Sequence, residues 1–102
     1  MSDQPVADTA RLSLSGELTI YTAAEIRATL AEAMEGVSEL EVDLSEISDM
    51  DTAGLQLLLL AKRNPRTEVR LSGHSPAVLR LLGIANLGSA LDAPLAAVAA
   101  ES

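Results

Sequence analysis

Between Ser38 and Ser45 the chain reads SELEVDLS. Leu40, Val42 and Leu44 alternate with Glu39, Glu41 and Asp43, and a period of two sends them to opposite faces of a strand. A sheet containing this segment is therefore covered on one face and wet on the other. That single pattern limits the architecture more than any other feature. Leu12 and Leu14 alternate in RLSLSGEL, which Gly16 punctuates, and Val69 and Leu71 alternate in TEVRLSG.

Helical spacing separates these segments. Thr22 and Glu25 have capping-box spacing, and Ile26, Leu30 and Met34 follow on one stripe until Gly36. A second helix starts near Asp51, runs to about Arg63 and stops at Asn64-Pro65. EISDM reads as the loop leading into it. Ser75-Pro76 is a cap with proline at the first helical position, launching AVLRLLGI, and Asn86 and Gly88 break that helix. APLAAVAA reads as a last small helix against the core. Residues 1–9 read as a polar tail and residues 10–102 as one domain. The expected fold is α/β, a small mixed sheet with helices packed mainly on one face.

Composition narrows the function. The 102 residues suit one domain with a modest core, and 48% of them are apolar. With no Phe, no Trp and only Tyr21, that core must be aliphatic, which suits a compact interior better than an aromatic ligand pocket. A net charge of -8 repels phosphate backbones and anionic membranes, so neither nucleic-acid binding nor a polybasic anchor is expected. No cysteine is present to form a disulfide, a thiolate nucleophile or a zinc site, and His74 is the only histidine. His74, in a tight turn with no second base beside it, reads as a surface loop residue. MSDQPVADTA lacks the features of a signal peptide, and the run from Leu57 to Ala61 is too short to span a bilayer. A soluble, cytoplasmic protein is the expectation, with no cofactor and no metal.

The chemistry-bearing stretch is MDTAGLQLLLLAKR. In one reading Asp51 or Thr52 caps the helix, and Ala53 and Gly54 are small because another element lies close. In the other the Thr52 hydroxyl is there to be modified. A phosphate at a helix start faces free N–H groups and the positive dipole end, and adds about -1.5 to -2 charges to one spot. Such a site switches binding and leaves folding intact. Leu55, Leu58, Leu59 and Lys62 fall on one side of this helix, and Leu57, Leu60 and Ala61 on another. A helix on a sheet needs one apolar stripe, so the second is either a partner surface or the mark of a deeply buried helix.

LEVDLSEISDMDTAGLQLLLLAKR resembles the signature of STAS domains, the family that includes bacterial anti-sigma factor antagonists. GELTIYTAAEI is similar to the family's first strand-to-helix passage, and SGHSPAVLRLLGIANL to its last strand and third helix. The resemblance implies that Thr52 is phosphorylated by a partner kinase of the GHKL type, itself an anti-sigma factor. It also implies that only the unmodified form binds that partner. The implied partner surface comprises Asp51, Thr52, Ala53, Gly54, Leu55, Leu58, Leu59 and Lys62, with Thr19 and Tyr21. Antagonists often carry Asp where this chain has Thr19, and a second hydroxyl where it has Ala53. A similar motif occurs in the cytoplasmic STAS subunit of a bacterial phospholipid-transport ABC complex, where the equivalent Thr supports docking on the ATPase. Other relatives accompany chemotaxis proteins. A homodimer through exposed leucines is a further possibility.

Catalysis is not expected. Asp43, Asp49 and Asp51 could suggest a magnesium cluster or a receiver-type phosphoacceptor. The first strand, however, ends in SGELT with Glu17 alone, and no Lys follows Lys62. Nor does a glycine-rich phosphate loop of the usual spacing appear: Gly83 and Gly88 read as a helix end and a turn.

Overall fold

A computed structural model of the chain describes residues 8–86 together with Leu91 and Asp92. The elements are β1 (Thr9–Leu18), α1 (Ala23–Met34), β2 (Glu39–Met50), α2 (Thr52–Lys62), β3 (Glu68–Ser72) and α3 (Pro76–Ala85). The strands form one sheet in the order β1-β2-β3, and both pairings are parallel. The α/β class with helices on a small sheet is the architecture observed. The antiparallel strand that a mixed sheet requires is absent among the described residues.

Topology explains the one-sided covering. Parallel neighbours need a crossover, and such crossovers are almost always right-handed. Strand order steps twice in the same direction, so α1 and α2 land on the same face. Beneath the helices Leu40, Val42, Leu44, Val69 and Leu71 are buried, with Leu30, Leu58, Val78 and Leu82 packed above them. The bare face carries ion pairs across the strands: Arg11 with Glu41 at 3.5 Å and Asp43 at 3.4 Å, and Arg70 with Glu39 at 3.5 Å. Exposed pairs of this kind contribute about 0–1 kcal/mol each, so the covered face holds the fold together.

Two local expectations change. EISDM is not a loop, because β2 continues through it to Met50 beside β1. The pairing shifts register between Ser13 and Ser15 and again between Gly16 and Glu17, where Gly16 takes φ +81. Those irregularities place the inward residues Leu44, Ile47 and Met50 three apart, which hides the strand period. Thr22 makes no side-chain cap on α1; its Oγ1 turns back to donate to the Glu17 carbonyl at 2.8 Å.

Other local signals hold. The Ser75 hydroxyl accepts from the Val78 N–H at 3.3 Å, Pro76 opens α3, and Asn86 ends it in the left-handed conformation at φ 59. The tail expected over residues 1–9 lies outside the described residues as far as residue 7, and Thr9 already belongs to β1. Gly88 and the APLAAVAA helix also lie outside them. Leu91 is fully buried in the core.

Candidate functional site

Asp51 sits where β2 hands over to α2. Its Oδ1 accepts from the Gly54 N–H at 3.1 Å, which is the N-cap bond of α2. Its Oδ2 accepts from the Ile20 N–H at 3.0 Å, in the loop between β1 and α1. The Asp51 N–H donates in turn to the Leu18 carbonyl at 3.3 Å. The Ile20 N–H, assisted by Gly54 and opposed by partial desolvation, holds the Asp51 carboxyl below the usual carboxylate range. Asp51 is therefore a clamp joining the loop to the helix start. Both its oxygens are engaged, and among the described residues no group of three His, Cys, Asp or Glu side chains could hold a metal ion.

Thr52 is the first residue of α2 and is exposed. Its hydroxyl takes part in none of the described hydrogen bonds. Ala53 beside it is half-buried. Gly54 is buried against Leu18, and a Cβ there would collide with the Leu18 carbonyl oxygen and side chain. The small residue is thus required by close approach of β1, as its position in the motif suggests.

The leucines need correcting. Leu55 is 5% exposed and Leu58 0%, so both belong to the core and neither is available to a partner. Gly54, Leu55, Leu58 and Ala61 make the single buried stripe of α2. Leu59 is half-buried against that core. Leu57 is half-buried beside Leu30, Ala31 and Met34 of α1, and Leu60 on the outer side is 56% exposed. Of the second stripe, Ala61 joins the buried one, while Leu57 and the exposed Leu60 line the cleft between α1 and α2. Lys62 is engaged within the chain. Its Nζ donates to the Val69 carbonyl at 2.9 Å and to Asp92 Oδ2 at 2.6 Å.

Thr19 is buried and braces the loop. Its N–H donates to Thr22 Oγ1 at 3.0 Å, and its own Oγ1 accepts from the Tyr21 N–H at 3.3 Å. With Thr19 turned inward, Ile20 and Tyr21 project outward at 66% and 91% exposure. The Asp51–Ile20 bond ties this apolar loop tip to the residue preceding Thr52. The accessible site is therefore Thr52, Ile20 and Tyr21, held by Asp51, Gly54 and Thr19. Ile20 escapes sequence reasoning because it belongs to no periodic stripe, although an isoleucine in a strand-to-helix turn is itself a signal.

His74 is also not a simple surface residue: its Nε2 lies 2.7 Å from the Leu91 carbonyl oxygen. A carbonyl only accepts, so Nε2 carries the proton in this bond.

Comparisons with known proteins fit this geometry. A family model described as "Mlab, STAS domain" matches residues 1–95. The STAS domain of a SulP transporter from Vibrio cholerae is similar in structure, with a TM-score of 0.57 and 20% identity over 86% of this chain and 71% of that one. The anti-sigma factor antagonist SpoIIAA in its unphosphorylated form is similar as well, with a TM-score of 0.54 and 22% identity over 84% of this chain and 80% of that one. At these identities the two structures bear on the fold alone.

Proposed function

The chain belongs to the STAS domain family, and from that premise we propose that it is a non-catalytic docking module whose partner reads the N-terminal end of α2. Phosphorylation of Thr52 is the switch. The observation that carries this reading is the contrast between Asp51, with both carboxylate oxygens bonded, and Thr52, exposed and with its hydroxyl in none of the described hydrogen bonds.

In the modification step the Thr52 oxygen attacks the γ-phosphoryl group of ATP held by a partner kinase of the GHKL type. The hydroxyl proton passes to a base of the kinase, the bond between the γ-phosphorus and the bridging oxygen breaks, and ADP departs with that oxygen. Because Asp51 already occupies the Gly54 N–H, the new phosphate gains little from the helix start and projects into solvent. No core contact changes. The added charge instead meets whatever covers Ile20 and Tyr21, where burying it uncompensated costs several kcal/mol, and each 1.4 kcal/mol is tenfold in affinity. The unmodified form binds and the modified form is released. Such a cycle belongs to a cytoplasmic protein, and no helix among the described residues is long and apolar enough to cross a membrane.

A second reading has its own support, since the matching family model is described as Mlab. In that reading the module docks permanently on the ATPase of an ABC complex, with Thr52 as a contact. Substitution separates the two. If Thr52 is a switch, Thr52→Asp abolishes capture of the kinase while Thr52→Ala binds it constitutively. If Thr52 is a contact, both variants weaken capture of the ATPase. Incubation with the kinase and ATP should add one phosphate by intact-mass spectrometry. Tight binding by Thr52→Asp would sink the switch.

A further inference from the structure

The sheet arranges its charges differently at its two ends. Near the amino ends of the strands Arg11 stands opposite Glu41 and Arg70 pairs with Glu39, so carboxylates there meet guanidinium groups of the same chain. At the carboxyl ends of β1 and β2 the positions that face each other are Glu17 and Asp49, both exposed. Like charges opposite each other on neighbouring strands are destabilising. No described ion pair relieves these two. Residues 12–26 and 44–61, which build this end, contain no lysine or arginine, and neither do residues 1–7, 87–90 and 93–102. Asp51 adds another carboxylate, bonded to the Ile20 N–H. The exposed side chains of Ile20 and Tyr21 therefore rise from a collar of negative charge that no described ion pair neutralises.

We propose that the kinase acting at Thr52 receives Ile20 and Tyr21 in an apolar socket whose rim carries lysine or arginine side chains facing Glu17 and Asp49. This rests on the reading of the chain as a docking module switched at Thr52. The tip is shaped before anything binds it. Asp51 holds the Ile20 N–H, the Thr19 hydroxyl accepts from the Tyr21 N–H, and Thr22 Oγ1 donates to the Glu17 carbonyl at 2.8 Å. A tip already ordered loses little freedom when a socket closes on it, so burial of its isoleucine and tyrosine counts almost fully towards affinity. The rim has to be basic, because a neutral or acidic one would strip water from the collar and leave its carboxylates without partners. Cations opposite them also draw the kinase in from a distance and set its orientation. Each rim cation is matched to a carboxylate, so a phosphate added at Thr52 stays uncompensated, as the switch requires.

Association of the full chain with the kinase, followed by stopped flow at about 50 and 300 mM salt, tests this. Wild-type association should slow about tenfold or more across that range. Glu17→Gln/Asp49→Asn should associate at the slow rate at both concentrations. Ile20→Ala/Tyr21→Ala should keep the salt dependence but dissociate about tenfold faster or more. Wild-type association indifferent to salt, or a Glu17→Gln/Asp49→Asn variant as fast as wild type at low salt, overturns the basic rim. Unchanged dissociation of Ile20→Ala/Tyr21→Ala overturns the socket. Thr52→Asp, measured beside them, keeps the two readings apart. If it still binds while the charge effects hold, the switch fails and the rim stands; if it is released while the collar variant behaves as wild type, only the rim fails. In the chain alone, Glu17→Gln/Asp49→Asn should raise the urea midpoint at low salt and lose that gain at high salt. Absence of the gain overturns the uncompensated collar, and the rim with it.

Discussion

The two ends of helix α2 treat their polar side chains differently. At the C-terminal end Lys62 is wholly engaged, with one bond to the Val69 carbonyl and another to Asp92. At the N-terminal end the work is divided between neighbours. Asp51 bonds the Gly54 and Ile20 N–H groups, and Thr52 is left outside with no described bond. The stretch between is a buried stripe of Gly54, Leu55, Leu58 and Ala61. A helix anchored at both ends and along one face is a rigid mount. The difference teaches that Thr52 can be altered without disturbing that mount, whereas Lys62 cannot.

The sharpest way to break this picture is at Gly54. Gly54→Val places side-chain atoms against the Leu18 carbonyl and should cost about 3 kcal/mol or more, enough to unfold much of the protein, as read by urea denaturation. A near-neutral result would mean that α2 is not pinned against β1. Leu58→Ala, at a fully buried site, should cost about 2–5 kcal/mol in the same measurement. Leu60→Ala, on the outer side of the same helix, should shift stability by about 0.5 kcal/mol or less.

Acid titration compares the two ends directly. Asp51 and Asp92 both titrate below the ordinary aspartate value of 3.8. For Asp92 the Lys62 ammonium and the Leu71 N–H, with the His74 charge behind them, outweigh a larger opposing effect of burial. A depressed carboxyl contributes stability that is present above its unfolded value and lost as pH falls through the folded value. Melting temperature should therefore drop as pH falls below about 4, and Asp51→Asn and Asp92→Asn should each flatten that drop. An unchanged acid limb in Asp51→Asn would remove the clamp. The smallest effect belongs to Thr52→Ala, within about 0.5 kcal/mol of wild type in urea. A larger loss would show the hydroxyl working inside the fold.

Much of this was legible from local pattern. The alternation of Leu40, Val42 and Leu44 announces a strand with one covered face, and the Ser75-Pro76 and Asp51 caps act on groups within three residues. The continuation of β2 through EISDM was not legible, because its partner is β1, about thirty residues earlier, and the register shifts break the period. Nor was the fate of Leu55 and Leu58. A helix apolar on two sides does not announce which side meets the sheet and which meets α1.

Sequence alone determined the order of strands and helices, the aliphatic core and the placing of a hydroxyl at a helix start, because each depends on neighbours within about one turn or one strand. Tertiary structure decided what the distant partners would be: Ile20 for Asp51, Asp92 for Lys62, Leu91 for His74. Those bonds join residues between 17 and 31 positions apart. No periodicity encodes such separations, and only packing of the helices onto the sheet brings the groups within reach.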